Sequence, residues 1–245
     1  MKIICIIIVV ILLLIIIKWG LLALYCRIQC KLDAKRYHMK QENNNKENDR
    51  AVDSKISFAK KIYHFINGYV YGYMRYKVIK VGHIPSHRIR NIIYRAIFGM
   101  KITKKTVIYG GCEIRSPWNI KADNCVISTN CILDGRNGIT IGENAVFGSG
   151  VHVWTEEHDV NDAKFGVSRS GSQPVVIGER AWICSDSTIL PGVTVGDGAV
   201  LASRAVATKD CAPFTINAGI PARKINNRNT ELDYELNGKP HWHFW

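Results

Sequence analysis

The chain has 245 residues, 47% hydrophobic and 22% charged, which excludes a disordered polypeptide and allows one substantial domain with an appendage. Its net charge of +13 is uneven: residues 1 to 105 carry 21 Lys and Arg against 5 acids, residues 106 to 245 carry 12 against 15. With no zinc-finger or other nucleic-acid motif, that asymmetry argues against a nucleic-acid partner and for an anionic membrane surface.

Residues 1–26 read as a transmembrane anchor. Ile3 to Ile17 are fifteen consecutive apolar residues, and after Lys18 the run resumes as WGLLALYC. Ile3 to Cys26, with the lysine snorkelling, is long enough to cross a bilayer. A cleaved signal peptide would need a more basic start and a small-x-small site; only Lys2 precedes the run and no A-x-A comes after it. Tyr25 is too bulky for a lipoprotein site at Cys26. Arg27, Lys31, Lys35, Arg36 and Lys40 come next, offset only by Asp33, so the positive-inside rule places the body of the chain in the cytoplasm.

Residues 27–55 read as a basic and polar tether, whose QENNNKENDR stretch is low in complexity. Residues 56–105 form a membrane-proximal helical and aromatic segment, with Tyr63, Phe65, Tyr69, Tyr71, Tyr73 and Tyr76 among basic side chains. Such a segment suits either the bilayer interface or packing on the rest of the chain. Ser86 is placed to cap a helix whose Ile89, Ile92, Ile93, Ala96 and Ile97 share one face, covering the open end of the repetitive domain on its carboxyl side.

Residues 106–228 are governed by period six. From Ile177 to Val206 run IGERAW, ICSDST, ILPGVT, VGDGAV and LASRAV, opening with Ile177, Ile183, Ile189, Val195 and Leu201. Their fifth positions, Ala181, Ser187, Val193, Ala199 and Ala205, are small or β-branched. Period six is neither helical nor alternating; it predicts a triangular coil, three hexads per turn, with the first residues stacked inward and the fifth ones inward near a corner. Upstream, Ile141, Phe147 and Val153 keep the phase, and Ile127 and Leu133 keep it after a two-residue insertion at 134–138. Between Val153 and Ile177 the repeat is broken by WTEEHDVNDAKFGVSRSGSQPVV, a polar segment that reads as a functional loop. Residues 229–245 form a tail ending in HWHFW.

The eight cysteines have no paired metal spacing, and Cys125 and Cys131 read as buried small hydrophobes in a reducing compartment rather than a disulfide. Of eight histidines only His152 and His158 lie in the coil region. His152 ends a regular hexad and should point outward; His158 sits where the repeat breaks and is free to project. Two histidines are too few for a three-histidine metal enzyme, and no metal is expected. Histidine is also the natural base for deprotonating a hydroxyl at neutral pH.

GENAVFGSG, the loop with His158, AWICSDSTILPGVTVGDGAVLASRAVATKD and AGIPAR together resemble the hexapeptide-repeat acetyltransferases, in particular the maltose and galactoside O-acetyltransferase group and its colanic acid branch. The resemblance covers residues 86 to 228. It implies an all-β left-handed parallel β-helix, an exception to right-handed crossovers, a homotrimer, and acetyl-CoA bound between neighbouring coils. It also implies His158 as catalytic base, and Trp182, Ser185, Ser203, Thr208, Lys209 and Arg223 as acetyl-CoA contacts, with Lys209 and Arg223 suited to phosphates. Ser203 stands where the family has alanine, and Asn226 where some members have a second arginine. The family's acceptor-site asparagine falls on Ser128, leaving Asn130 and Asp134 as candidate acceptor contacts. Together, anchor and resemblance predict an O-acetyltransferase acting on a saccharide of an exopolysaccharide or capsule precursor, carried on membrane lipid. The alternatives are N-acetylation of an amino sugar and a noncatalytic envelope scaffold.

Overall fold

The computed structural model describes residues 2–44, 58–168 and 171–240; the rest of the tether and the HWHFW end lie outside the described residues. Helix α1 (Lys2–Asn44), helix α2 (Phe58–Gly82) and helix α3 (His87–Ala96) precede a parallel β-solenoid. One sheet contains β1 (Lys101–Ile102), β4 (Ile120–Ala122), β7 (Ile139–Ile141), β10 (Val175–Ile177) and β13 (Thr194–Val195). The second contains β2 (Val107–Ile108), β5 (Val126–Ile127), β8 (Val146–Phe147), β11 (Trp182–Ile183), β14 (Val200–Leu201), β16 (Thr215–Ala218) and an antiparallel return, β17 (Arg223–Asn227). The third contains β3 (Glu113–Arg115), β6 (Ile132–Asp134), β9 (His152–Val153), β12 (Thr188–Ile189) and β15 (Val206–Ala207).

The register resolves the phase that the sequence leaves open. Ile102, Ala122, Ile141, Ile177 and Val195 form one inward column; Ile108, Ile127, Phe147, Ile183 and Leu201 the second; Ile114, Leu133, Val153, Ile189 and Ala207 the third. Every one of them is buried. The small fifth positions stack at corners: Cys125, Ala145, Ala181 and Ala199 at one, Cys131, Val151, Ser187 and Ala205 at the next, all at most 1% exposed. All eight cysteines are free thiols, and burial pushes the Cys125 thiol up to about 12, as expected of a packing residue rather than a nucleophile. At the far end Asn217 occupies the column position above Leu201 and satisfies its amide on Val200 O (3.3 Å) and Thr215 Oγ1 (2.9 Å), so the stack ends without an orphaned polar group.

The opposite end is closed by the helices. Helix α1 does not stop at residue 26, because no Gly or Pro interrupts the segment from there to Asn44. Its middle packs on the solenoid, where Trp118 is fully buried between the edges of Tyr25 and Tyr71 and donates to Asp33 Oδ2 at 2.8 Å. Side chains from Ile4 to Ile17 are exposed, and this helix is long and apolar enough to cross a membrane. Lys18 does not stand alone within it: its ammonium lies 5.3 Å from the Tyr73 ring centroid, beside Lys77 over Trp19 at 5.4 Å. Helix α2 divides its role, with Met74, Val78 and Val81 buried and Phe58, Phe65, Ile66 and Tyr69 exposed.

Ser86 caps α3, accepting from Ile89 N at 3.4 Å. The expected apolar face is corrected in part: Ile93 and Ile97 do pack against the core. The buried stripe is His87, Arg90, Asn91 and Tyr94, whereas Ile89 and Ile92 are half exposed. Arg90 decides this orientation, because its guanidinium donates to the Ile108 carbonyl on the solenoid's first turn and to the Ile84 carbonyl in the connection between α2 and α3.

Arg75 on α2 reaches Glu113 on β3 at 2.7 Å, and Arg115 reaches the same oxygen at 2.8 Å. Burial alone would raise the Glu113 carboxyl, but the Arg115 and Arg75 guanidinium groups override it and hold it below the usual carboxylate range. The folded value being depressed, the pair stabilises the fold above the unfolded value of 4.5 and loses that contribution as pH falls through the folded value. Glu113→Gln is therefore expected to lower Tm at neutral pH, with the gap to the parent narrowing as pH falls below 4.5 and closing only below the folded value; thermal melts across that acid range check it.

Candidate functional site

Between β9 and β10 the chain leaves the coil and folds back as a short hairpin. Its base is tied by Ser168 N to Glu157 O (2.9 Å), its middle by Asp159 N to Gly166 O (2.9 Å) and a single bridge pairing His158 with Val167. Asp162 closes the tip, accepting from Lys164 N (2.8 Å) and Gly166 N (3.0 Å). These bonds bring Phe165 back over His158. The rings stack at 4.3 Å and 7°, and His158 Nδ1 lies 3.0 Å from the Phe165 carbonyl oxygen. A carbonyl only accepts, so Nδ1 carries the proton and donates, leaving Nε2 as an exposed lone pair. Sequence reasoning missed Phe165, whose backbone fixes the tautomer, since no periodicity marks it; the Asp162 to Gly166 turn was the available signal.

Below the hairpin, a fork holds the corner. Asp134, fully buried on β6, takes Arg136 Nε and a second Arg136 nitrogen at 2.8 Å each, and Arg136 continues to Glu156. The Asp134 hydrogen bonds hold the Arg136 guanidinium pKa above its usual value. Asp134 is thereby committed to the chain itself and anchors the hairpin's root.

The other residues singled out fall on two edges. A cleft of about 520 Å³ joins Glu157, Gly171 and Gln173 of the loop to Pro191, Thr208 and Lys209. Ser185 and Ser203 stand instead at the corner between the second and third sheets, with Arg223 exposed at the start of β17 near it. Trp182 projects from β11 and is 48% exposed. Gly148 makes room at that corner, since a Cβ there would overlap the Ser185 backbone, whose Cα would lie 2.8 Å away. Asn130 is also on this edge, in a column of left-handed corner residues with Gly111, Gly150, Asp186 and Arg204. Its φ of 59° gives it a backbone reason to be there. His152 on β9 is half-buried, its ring edge-on to Trp154 at 6.1 Å.

Residues 174–209 match the family described as bacterial transferase hexapeptide (six repeats). The chain is 32% identical over 133 residues to WcaF of Escherichia coli (strain K12), a protein named for acetyl transfer in colanic acid biosynthesis, covering 54% of this chain and 71% of that one. Among solved structures it is similar to a maltose O-acetyltransferase from Clostridium difficile 630, with 27% identity, a TM-score of 0.58, and 65% and 86% of the two chains covered. The fold is shared with a hexapeptide-repeat acetyltransferase of Vibrio cholerae O1 biovar eltor solved with acetyl coenzyme A, at 20% identity, TM-score 0.57, and 78% and 98% coverage.

Proposed function

The chain belongs to the hexapeptide-repeat acetyltransferases, and on that premise we propose that it is a membrane-anchored O-acetyltransferase moving acetyl from acetyl-CoA to a saccharide hydroxyl. The observation that carries this reading is His158, whose Nδ1 proton is committed to the Phe165 carbonyl and whose Nε2 is free to take a proton. As the acceptor oxygen bonds to the thioester carbonyl carbon, Nε2 takes the hydroxyl proton. The tetrahedral adduct then collapses with cleavage of the carbon–sulfur bond, and the imidazolium returns the proton to the departing CoA thiol. No covalent acetyl-enzyme is needed. The relatives named for colanic acid biosynthesis and for maltose acetylation support a saccharide acceptor, and α1 with its basic sequel supports a body on the cytoplasmic side, where acetyl-CoA is made.

The two edges found in one chain support a trimer as the active species. His158, Thr208 and Lys209 of one copy would face Trp182, Ser185, Ser203 and Arg223 of the next, so each site takes residues from two chains. Mixing tests this. Co-expression of His158→Ala with a Trp182→Ala, Ser185→Ala, Arg223→Gln chain is expected to restore about a quarter of the sites, since each needs an intact residue set from each of two randomly drawn neighbours. A mixture no more active than its two components would place the whole site in one chain. Acceptor-dependent CoA release, measured on the solubilised chain, tests the reaction itself.

A further inference from the structure

Between α1 and the first sheet lies a second cleft, of about 410 Å³, lined by Asp33, Arg36, Lys101, Lys121, Arg136 and Glu156 among others. Lys101 and Lys121 are direct register partners on β1 and β4, both exposed on the outward side. Like charges facing each other across adjacent strands repel, and among the described residues neither lysine makes an ion pair. The acids nearby are already engaged. Asp33 accepts from Trp118 Nε1, Asn119 Nδ2 (3.1 Å) and Arg36, and Glu156 pairs with Arg136. Two uncompensated ammonium groups at the wall of a cleft are the complement of a doubly charged anion.

We infer that this cleft binds the phosphate or diphosphate through which the saccharide acceptor is linked to a carrier. The inference rests on the acetyl-transfer reading for its saccharide half only. Its position agrees in three respects. Glu156 is two residues from His158, within about 7 Å along the chain, so a sugar attached to the phosphate reaches the base. Thr208 and Lys209, proposed for the acetyl donor, lie on the far side of the hairpin, toward the solenoid's other end. Ile28, the last exposed large apolar side chain among those described on α1, precedes Asp33 by five residues, roughly 8 Å of helix, so the cleft opens just beyond the apolar stretch of α1.

The test is binding of inorganic pyrophosphate to the detergent-solubilised full chain by calorimetry, with a polyprenyl diphosphate in micelles and a nucleoside diphosphate as competitors. With the donor site filled by saturating CoA, Lys101→Gln/Lys121→Gln should bind pyrophosphate at least tenfold more weakly than the parent at unchanged Tm, while Lys209→Gln without CoA reports any pyrophosphate captured by the donor site. Stronger competition by the polyprenyl diphosphate assigns a lipid carrier, and by the nucleoside diphosphate a nucleotide carrier. The inference is overturned by absence of pyrophosphate binding, by equal binding in the double-lysine variant, or by weakening confined to Lys209→Gln. Because no acetyl transfer is read, retained pyrophosphate binding in a protein that fails to acetylate saccharides would sink the proposed reaction and leave the cleft standing.

Discussion

His158→Ala is expected to lower kcat by at least about 100-fold, the contribution of a positioned general base, while leaving Tm and acetyl-CoA binding close to those of the parent. Stability should hold because the imidazole is exposed on the stem of a hairpin whose closure is carried by backbone bonds and by Asp162, not by the ring. The donor side should hold because none of the residues proposed to contact acetyl-CoA bonds to His158 in the structure. The loss should fall on kcat, since the proton is taken only as the new bond forms. Steady-state kinetics with melts on both proteins check it; equal turnover would remove His158 from the mechanism.

Phe147→Ala should be the most damaging single change to the solenoid, costing about 3–5 kcal/mol. Phe147 is 1% exposed and stands at the middle of the second inward column, between Ile127 below and Ile183 above. The coil offers little means of collapse, because each column residue is held in register by parallel pairing on both sides. A cavity there also loosens the turn that carries Gly148 against Ser185, so donor affinity should weaken alongside Tm. By contrast Ile183→Val in the same column should cost only about 1 kcal/mol. Chemical denaturation of both variants measures the difference; a Phe147→Ala midpoint matching that of Ile183→Val would show that the column is not a close-packed core.

Much of this architecture was legible because a solenoid repeats its physics. Five hexads in one phase forecast the inward columns, the small corner residues and the loop that breaks the rhythm. The first turns were harder to read, since Ile102 pairs with Ala122 and Ala122 with Ile141, intervals of 20 and 19 residues, against 18 from Ile177 to Val195. The 3-10 turn at Pro117–Asn119 takes up part of the excess and seats Trp118 under α1, a long-range contact that no local pattern encodes. The face of α3 was misread for a similar reason. Hydrophobicity favours burying Ile89 and Ile92, but the Ile108 carbonyl at the solenoid's open end and the Ile84 carbonyl in the connection before α3 demand donors, and Arg90 supplies them. At the site, His158 stood out by its place in the break, whereas Asp134 needed the fold to reveal that both its oxygens are occupied by Arg136.

Acetyl transfer to a saccharide oxygen is decided by CoA release from the detergent-solubilised chain on a panel of hexoses, amino sugars and membrane lipid extracts, with the product then treated with mild alkali. Release that depends on a saccharide and yields an alkali-labile ester is the predicted result. An alkali-stable amide, or release indifferent to every saccharide offered, would contradict it.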